Sequence, residues 1–321
     1  MAAVALSLGL AFASVTGAHA ETSVSSTGEC LGSNVPSVDL TSEYLVGFSE
    51  TELNQIGFTR DADAHDNLTP IGWLAKSDVG DCATQNQAAA CSGSFNLPSQ
   101  SICTNIWSGY IVGSPTNRFS TVTGHLIVPA VSYTCPTSSY GGWVGLGGYH
   151  TTSLLQAGVY YLQSNNGPKL FYEYINGALD SYVVNLGTPG VKAGDDVQIT
   201  VAWSPGLSGA IFTFTNFTQQ HATNSKLVFG LPATYFDGTT AEWIDERLTI
   251  SGTPSPLANY DMATWSQAKV MITDTGQYSD MTSEEQRPLG MTSGSNTLLS
   301  YPTGGATSST SFTDHYFTCG A

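Results

Sequence analysis

An antiparallel β-sandwich is the fold this sequence predicts, and three observations predict it. Short apolar and aromatic runs recur between residues 102 and 273, separated by clusters of Gly, Pro, Asn and Asp. Val197, Ile199, Val201 and Trp203 alternate with Gln198, Thr200 and Ala202, the period of a strand with one buried face. No amphipathic helical pattern separates the runs, so a parallel sheet built from βαβ units is not expected. The composition agrees: 34 glycines and only 11% charged residues in a chain of 321 suit an all-β protein with many turns.

The chain opens on an apolar run from Ala2 to Val15 that ends in Ala18-His19-Ala20, a small-x-small cleavage pattern. Residues 1–20 are therefore expected to be a signal peptide and the protein to be secreted. No other run approaches the length needed to cross a membrane as a helix. Cys30, Cys82, Cys91, Cys103, Cys135 and Cys319 form an even set that predicts disulfides in an exported product. Sequence does not choose the pairing; Cys82 with Cys91, which closes a short loop, is favoured. No CxxC occurs, which argues against a zinc or redox site.

Residues 21–100 differ in character from the rest of the chain. They carry two basic residues, Arg60 and Lys76, against eleven acidic ones, with little strand alternation. Ser49-Glu50-Thr51-Glu52 before Leu53 and Ile56 has the form of a capping box opening a short helix. Asp61-Ala62-Asp63-Ala64-His65-Asp66 starts like a calcium loop, but lacks the glycine at its sixth position and has Gly72 where the closing Glu belongs, so it reads as a solvated loop. This segment is expected to be a pro-region or an N-terminal lobe.

Ten strands are predicted in the sandwich domain, assigned to residues 101–295: 107–112, 121–128, 141–146, 154–162, 170–175, 197–203, 210–217, 226–229, 240–248 and 268–273. A C-terminal tail, 296–321, is Ser/Thr/Gly-rich and expected to be loose, with Cys319 tied back. Across the whole chain, 9 Lys and Arg stand against 25 Asp and Glu, a net charge of −16. Nucleic acid is excluded as a partner, since phosphate binding needs a basic footprint. Few basic groups also limit charge repulsion in acid, once carboxylates are protonated.

Several familiar chemistries are absent. There is no GxSxG elbow, HExxH pair or P-loop. The six histidines are scattered without metal spacing, and the glycines of Gly145-Leu146-Gly147-Gly148 follow a strand but open no helix. No metal and no cofactor is expected. What stands out is Ala241-Glu242-Trp243-Ile244-Asp245-Glu246, which reads as a strand. Alternation puts Glu242, Ile244 and Glu246 on one face and Trp243 and Asp245 on the other. The two glutamates are then ~13 Å apart by strand rise, too far to work as a pair. One of them needs a partner from elsewhere.

Read in order, Trp107-Ser108-Gly109-Tyr110, Trp143-Val144-Gly145, Leu155-Gln156-Ala157-Gly158, Tyr172-Glu173 and the 241–246 strand form a set that resembles the glutamic peptidases (eqolisins). The likeness covers about residues 102–275. It implies a lectin-like sandwich of two antiparallel sheets with a cleft on one of them, acting on protein or peptide substrates as a monomer, without nucleic acid or membrane partners. It further implies a catalytic amide at Gln156 and a catalytic carboxyl at Glu246, the second acid of the strand motif. Trp107, Trp143, Phe171, Tyr172 and Glu173 fall on cleft-lining positions, and Glu242 on a supporting one. The residue types suit the chemistry: a carboxylate can deprotonate water and later protonate a leaving amine. An amide NH2 can donate to the oxyanion. The resemblance implies an endopeptidase most active in acid.

Three positions depart from the family pattern: Gly147 and Lys169 where acids are common, and Ile175 where a cleft tyrosine is common. Two other readings compete. A lectin-like glycoside hydrolase would carry a third acid between the two glutamates, but that position is Ile244 and Asp245 faces away. A carbohydrate-binding module would use Trp107, Trp143 and Tyr172 as stacking platforms.

Overall fold

The computed structural model describes residues 101–320 together with Ala89 and Ala90, apart from 150, 166, 177–181, 187–189, 220–221, 251–252, 294–296 and 306–309. The expected signal peptide, the short helix, the loop at 61–66 and the Cys82–Cys91 pair lie outside the described residues.

The described strands begin with β1 (Ala89–Ala90), β2 (Ile102–Thr104), β3 (Trp107–Gly113), β4 (Phe119–Ile127), β5 (Ser139–Gly147), β6 (Ser153–Leu162) and β7 (Lys169–Asn176). Next come β8 (Tyr182–Leu186), β9 (Asp196–Ser204), β10 (Gly209–Asn216), β11 (Ala222–Phe229), β12 (Thr240–Glu246), β13 (Thr249–Ile250) and β14 (Thr253–Pro254). The last five are β15 (Met262–Ile272), β16 (Gln277–Asp280), β17 (Glu285–Thr292), β18 (Leu298–Gly304) and β19 (Phe312–Tyr316). All ten predicted strands are present.

Hydrogen-bonded neighbours run β8-β7-β6-β5-β12-β3-β17 through one layer. The ladder continues through β18 and β19 into a second layer, β15-β4-β9-β10-β11. It is one curled sheet folded on itself into a sandwich. All these pairings are antiparallel; β2 joins β17 in parallel.

Alternation builds the core between the layers. Val144, Leu155, Val159 and Trp243 from the first layer pack with Val122, Ile199, Val201, Phe212, Phe214 and Trp265 from the second. Burying side chains of this size removes them from water at about 2–3 kcal/mol each, which accounts for the sandwich forming. The first layer also has apolar side chains on its other face: Trp107, Ile111, Trp143, Leu154, Phe171, Ile175 and Ile244 form a separate cluster. Strands apolar on both faces are why 139–147 and 153–161 read as continuous apolar runs rather than alternating ones.

The sheet also continues past the expected boundary at 295. Residues 298–304 and 312–316, expected to belong to a loose tail, are strands β18 and β19 that link the two layers. Their hydroxyl-rich composition hid the alternation. Phe312 faces inward, 4.9 Å from the Tyr110 ring and stacked on Trp265, with buried Asp314 two residues on. Cys319 is tied back to Cys135, just ahead of β5. Cys103 is disulfide-bonded as well.

Candidate active site

Register decides which side chains on the second face of the first layer can meet. Glu242 pairs with Ile111 on one side and Gly145 on the other; Gly145 pairs with Gln156, and Gln156 with Glu173. Glu242, Gln156 and Glu173 therefore stand in one row, with a glycine between the first two. Two interstrand steps put the Glu242 and Gln156 backbones ~10 Å apart, close enough for both side chains to reach one substrate atom. Glu246 lies two rows away, paired with Trp107 and Gly141. Four strand residues and two strands separate its backbone from that of Gln156, ~16 Å. The sequence expectation joins Gln156 with Glu246; in the sheet it is Glu242 that shares the row of Gln156.

The hydrogen bonds divide these groups further. Gln156 Nε2 donates to Glu173 Oε2. Thr240 Oγ1 donates to Glu242 Oε1 at 2.7 Å. Gln156 Oε1 and Glu242 Oε2, both buried, have no hydrogen-bond partner among the described residues. Burial pushes the Glu242 carboxyl well above the ordinary carboxylate range; the Thr240 bond pulls it back a little, and the charge of Asp237 pushes it up again. Asp237 is held by Thr151, whose hydroxyl donates to its Oδ2 at 2.6 Å.

Between the dyad positions lies Trp143. A Cβ at Gly145 would come within 2.8 Å of the indole Cζ3, and one at Gly158 within 2.5 Å of the Trp143 Cβ. Glycine at 145 is what admits the ring, and glycine at 158 admits the close approach of the β5 backbone. Trp107 packs edge-on against it, with centroids 5.2 Å apart. Trp143 Nε1 donates to Glu246 Oε2 at 2.6 Å.

Of the residues expected to line a cleft, Trp107, Trp143, Phe171, Glu173 and Glu242 share this face. Tyr172 does not. It follows Phe171 on one strand, so alternation turns it into the core, where it stacks on Phe212 at 4.8 Å. Ile175 is buried beside Phe171 in the apolar cluster. Gly147 has φ +87, and a Cβ there would lie 2.3 Å from the Ser153 carbonyl oxygen, so this backbone admits no acidic side chain. Thr240 was missed by sequence reading; its position two residues before Glu242, on the same strand face, is the signal that would have found it.

The sequence profile that matches the chain gives the class: a glutamic-type peptidase, a hydrolase whose family implies protein or peptide substrates. The chain belongs to the Peptidase A4 family, whose sequence profile matches residues 105–313. Scytalido-glutamic peptidase, solved with a peptide-based transition-state analog, is 18% identical, with a TM-score of 0.55 over 66% of this chain and 98% of that one. SCP-B, an eqolisin solved with the tripeptide Ala-Ile-His, is 20% identical, with a TM-score of 0.51 and the same coverage. At such identities the likeness is one of fold. By sequence the chain matches no curated protein.

Proposed function

We propose that this chain is a secreted endopeptidase working in acid, with Gln156 and Glu242 as its catalytic pair. The observation that carries the reading is the row Glu242–Gly145–Gln156, in which both side chains are buried and each keeps one acceptor oxygen without a partner among the described residues. A water seated between them can donate to both. As ionised Glu242 takes a proton from that water, the oxygen adds to the scissile carbonyl carbon and the C=O pair moves onto its oxygen. One N–H of Gln156 is engaged by Glu173; the other is available to the oxyanion, an interaction worth about 3 kcal/mol in comparable sites. Glu242 then passes its proton to the leaving nitrogen, the C–N bond breaks, and an acid and an amine depart. A carboxyl raised by burial suits both halves, because it is a stronger base when ionised and a competent acid afterwards.

Export is supported by the Cys135–Cys319 disulfide, which suits an oxidising compartment. Acid action is supported by the net charge of −16, since few basic groups remain to repel one another once carboxylates are protonated. The test is hydrolysis of a protein substrate between pH 2 and 7 by the wild type, Glu242→Gln and Gln156→Ala. Acid-peaked activity is expected, lowered ~10²–10⁴-fold by the first change and ~10²–10³-fold by the second. Folded Glu242→Gln protein with wild-type turnover would sink the assignment.

A further inference from the structure

We propose that Glu246 is a positioning residue for this reaction, acting through Trp143: its carboxyl anchors the indole that floors the gap between Gln156 and Glu242. The inference rests on the catalytic pair proposed above. Three rows of the sheet carry it. Glu242, Gly145 and Gln156 form the first; Ile244, Trp143 and Gly158 the second; Glu246, Gly141 and Tyr160 the third. Trp143 thus stands between the catalytic row and Glu246, and its ring lies along β5 with its two ends in different rows. At one end Nε1 donates to Glu246 Oε2 at 2.6 Å, with both side chains buried. At the other end Cζ3 lies over Gly145, 2.8 Å from where a Cβ would stand. A scissile carbonyl must lie over that edge of the ring to meet both an amide donor on β6 and a base on β12.

The ring has no freedom to find this place by packing alone. Glycine at 145 opens the slot, Trp107 closes one side edge-on, and Leu154 Cδ1 reaches the same point over Gly145, at 3.0 Å from the position of a Cβ. The bond at Nε1 holds the indole along the strand direction, at the end of the ring away from Gly145. A hydrogen bond to a carboxylate is short and strong enough to set that coordinate. A floor that slides by ~1 Å misplaces the carbonyl against both catalytic groups, and misplacement on that scale costs ~100-fold in rate.

The experiment compares Glu246→Gln, Glu246→Ala, Trp143→Phe and the double variant Glu246→Ala/Trp143→Phe with the wild type and Glu242→Gln. Hydrolysis of one peptide is followed across the pH profile, and folding is checked by near-UV circular dichroism. Glutamine keeps an acceptor for the indole, so Glu246→Gln should stay within ~10-fold of wild type, whereas Glu246→Ala should lose ~100-fold, mainly in kcat. Trp143→Phe should lose a similar factor, and the double variant no more than the worse single, because both changes remove one device. The acid limb of the profile should keep its position in Glu246→Gln. If Glu246→Gln is as inactive as Glu242→Gln is expected to be, Glu246 itself handles the proton and the positioning role is overturned. A Glu246→Ala enzyme within twofold of wild type, or a double variant whose losses multiply, overturns it equally. Should Glu246→Ala fail to fold, the Gln and Phe variants still decide. The catalytic pair fails separately, if Glu242→Gln remains active whatever Glu246 does.

Discussion

The two faces of β12 carry carboxyls equally removed from solvent and treat them differently. On the core face, Asp245 accepts from the Tyr140 hydroxyl at 2.5 Å and from Trp265 Nε1 at 3.0 Å, one donor for each oxygen. On the opposite face, Glu242 has the Thr240 hydroxyl on one oxygen and no partner among the described residues on the other. A buried polar group that is satisfied holds the structure; one left unsatisfied carries a desolvation cost the fold does not recover. Burial and residue type alone do not separate a structural acid from a reactive one. On β12 the two acids differ in the count of their donors.

That contrast is best broken by exchanging one property at a time. The largest effect belongs to the open face: Glu242→Gln should lose ~10²–10⁴-fold in kcat while its denaturation midpoint stays near wild type, as it removes no satisfied hydrogen bond beyond what glutamine can accept from Thr240. Asp245→Asn should do the reverse. Replacing an acceptor by a donor beside Tyr140 or Trp265 should lower stability by about 1–3 kcal/mol, seen in urea denaturation, with kcat per folded molecule retained. Joint replacement of Cys135 and Cys319 by Ser should cost about 2–5 kcal/mol, because it frees a loop of 184 residues in sequence separation.

The dependence of stability on pH sharpens the comparison further. Burial raises Asp314 from 3.8 to about 6, against hydrogen bonds from Ser108, Ser300 and Tyr260 that pull it down; Asp245 and Glu242 are raised too, each chiefly by burial, with the charge of Asp314 adding to the rise at Asp245. A carboxyl with a raised folded pKa contributes stability that is complete below its unfolded pKa and is lost as pH rises through the folded one. Stability should therefore fall between pH 4 and 7, by about 3 kcal/mol from Asp314 alone. No Lys, Arg or His among the described residues forms an ion pair with Asp245 or Asp314 that would reverse the sign. Denaturant midpoints across that range check it; a rise toward neutral pH would refute it, and Asp314→Asn should flatten the slope. The smallest effect is expected at Tyr172→Phe, under about 1 kcal/mol and without change in kcat, since that ring stacks in the core and faces away from the site.

Much of this was legible in the sequence. Strand period located the ten main strands, and the same alternation placed Glu242 and Asp245 on opposite faces before any pairing was known. It would also have separated Phe171 from Tyr172, had it been applied there instead of treating the aromatic pair as a unit. Gln156 stood out through its motif. The choice between Glu242 and Glu246 did not, because both occupy the same face of the same strand and differ only in what lies across two neighbouring strands. Strands β18 and β19 escaped notice since their inward positions include Asp314 and Ser300, whose burial depends on each other and on Tyr260.

Local sequence determined where this chain turns, which side chains share a face and which residue types are present to do chemistry. Those properties derive from the backbone period of two and from turn residues, both of which act over a few positions. Tertiary structure alone decided the register that sets Gln156 level with Glu242, the bond between Trp143 and Glu246, and the link from Cys135 to Cys319. These are contacts between segments tens to hundreds of residues apart, and they are fixed by packing and pairing across strands rather than by anything written beside each residue in the chain.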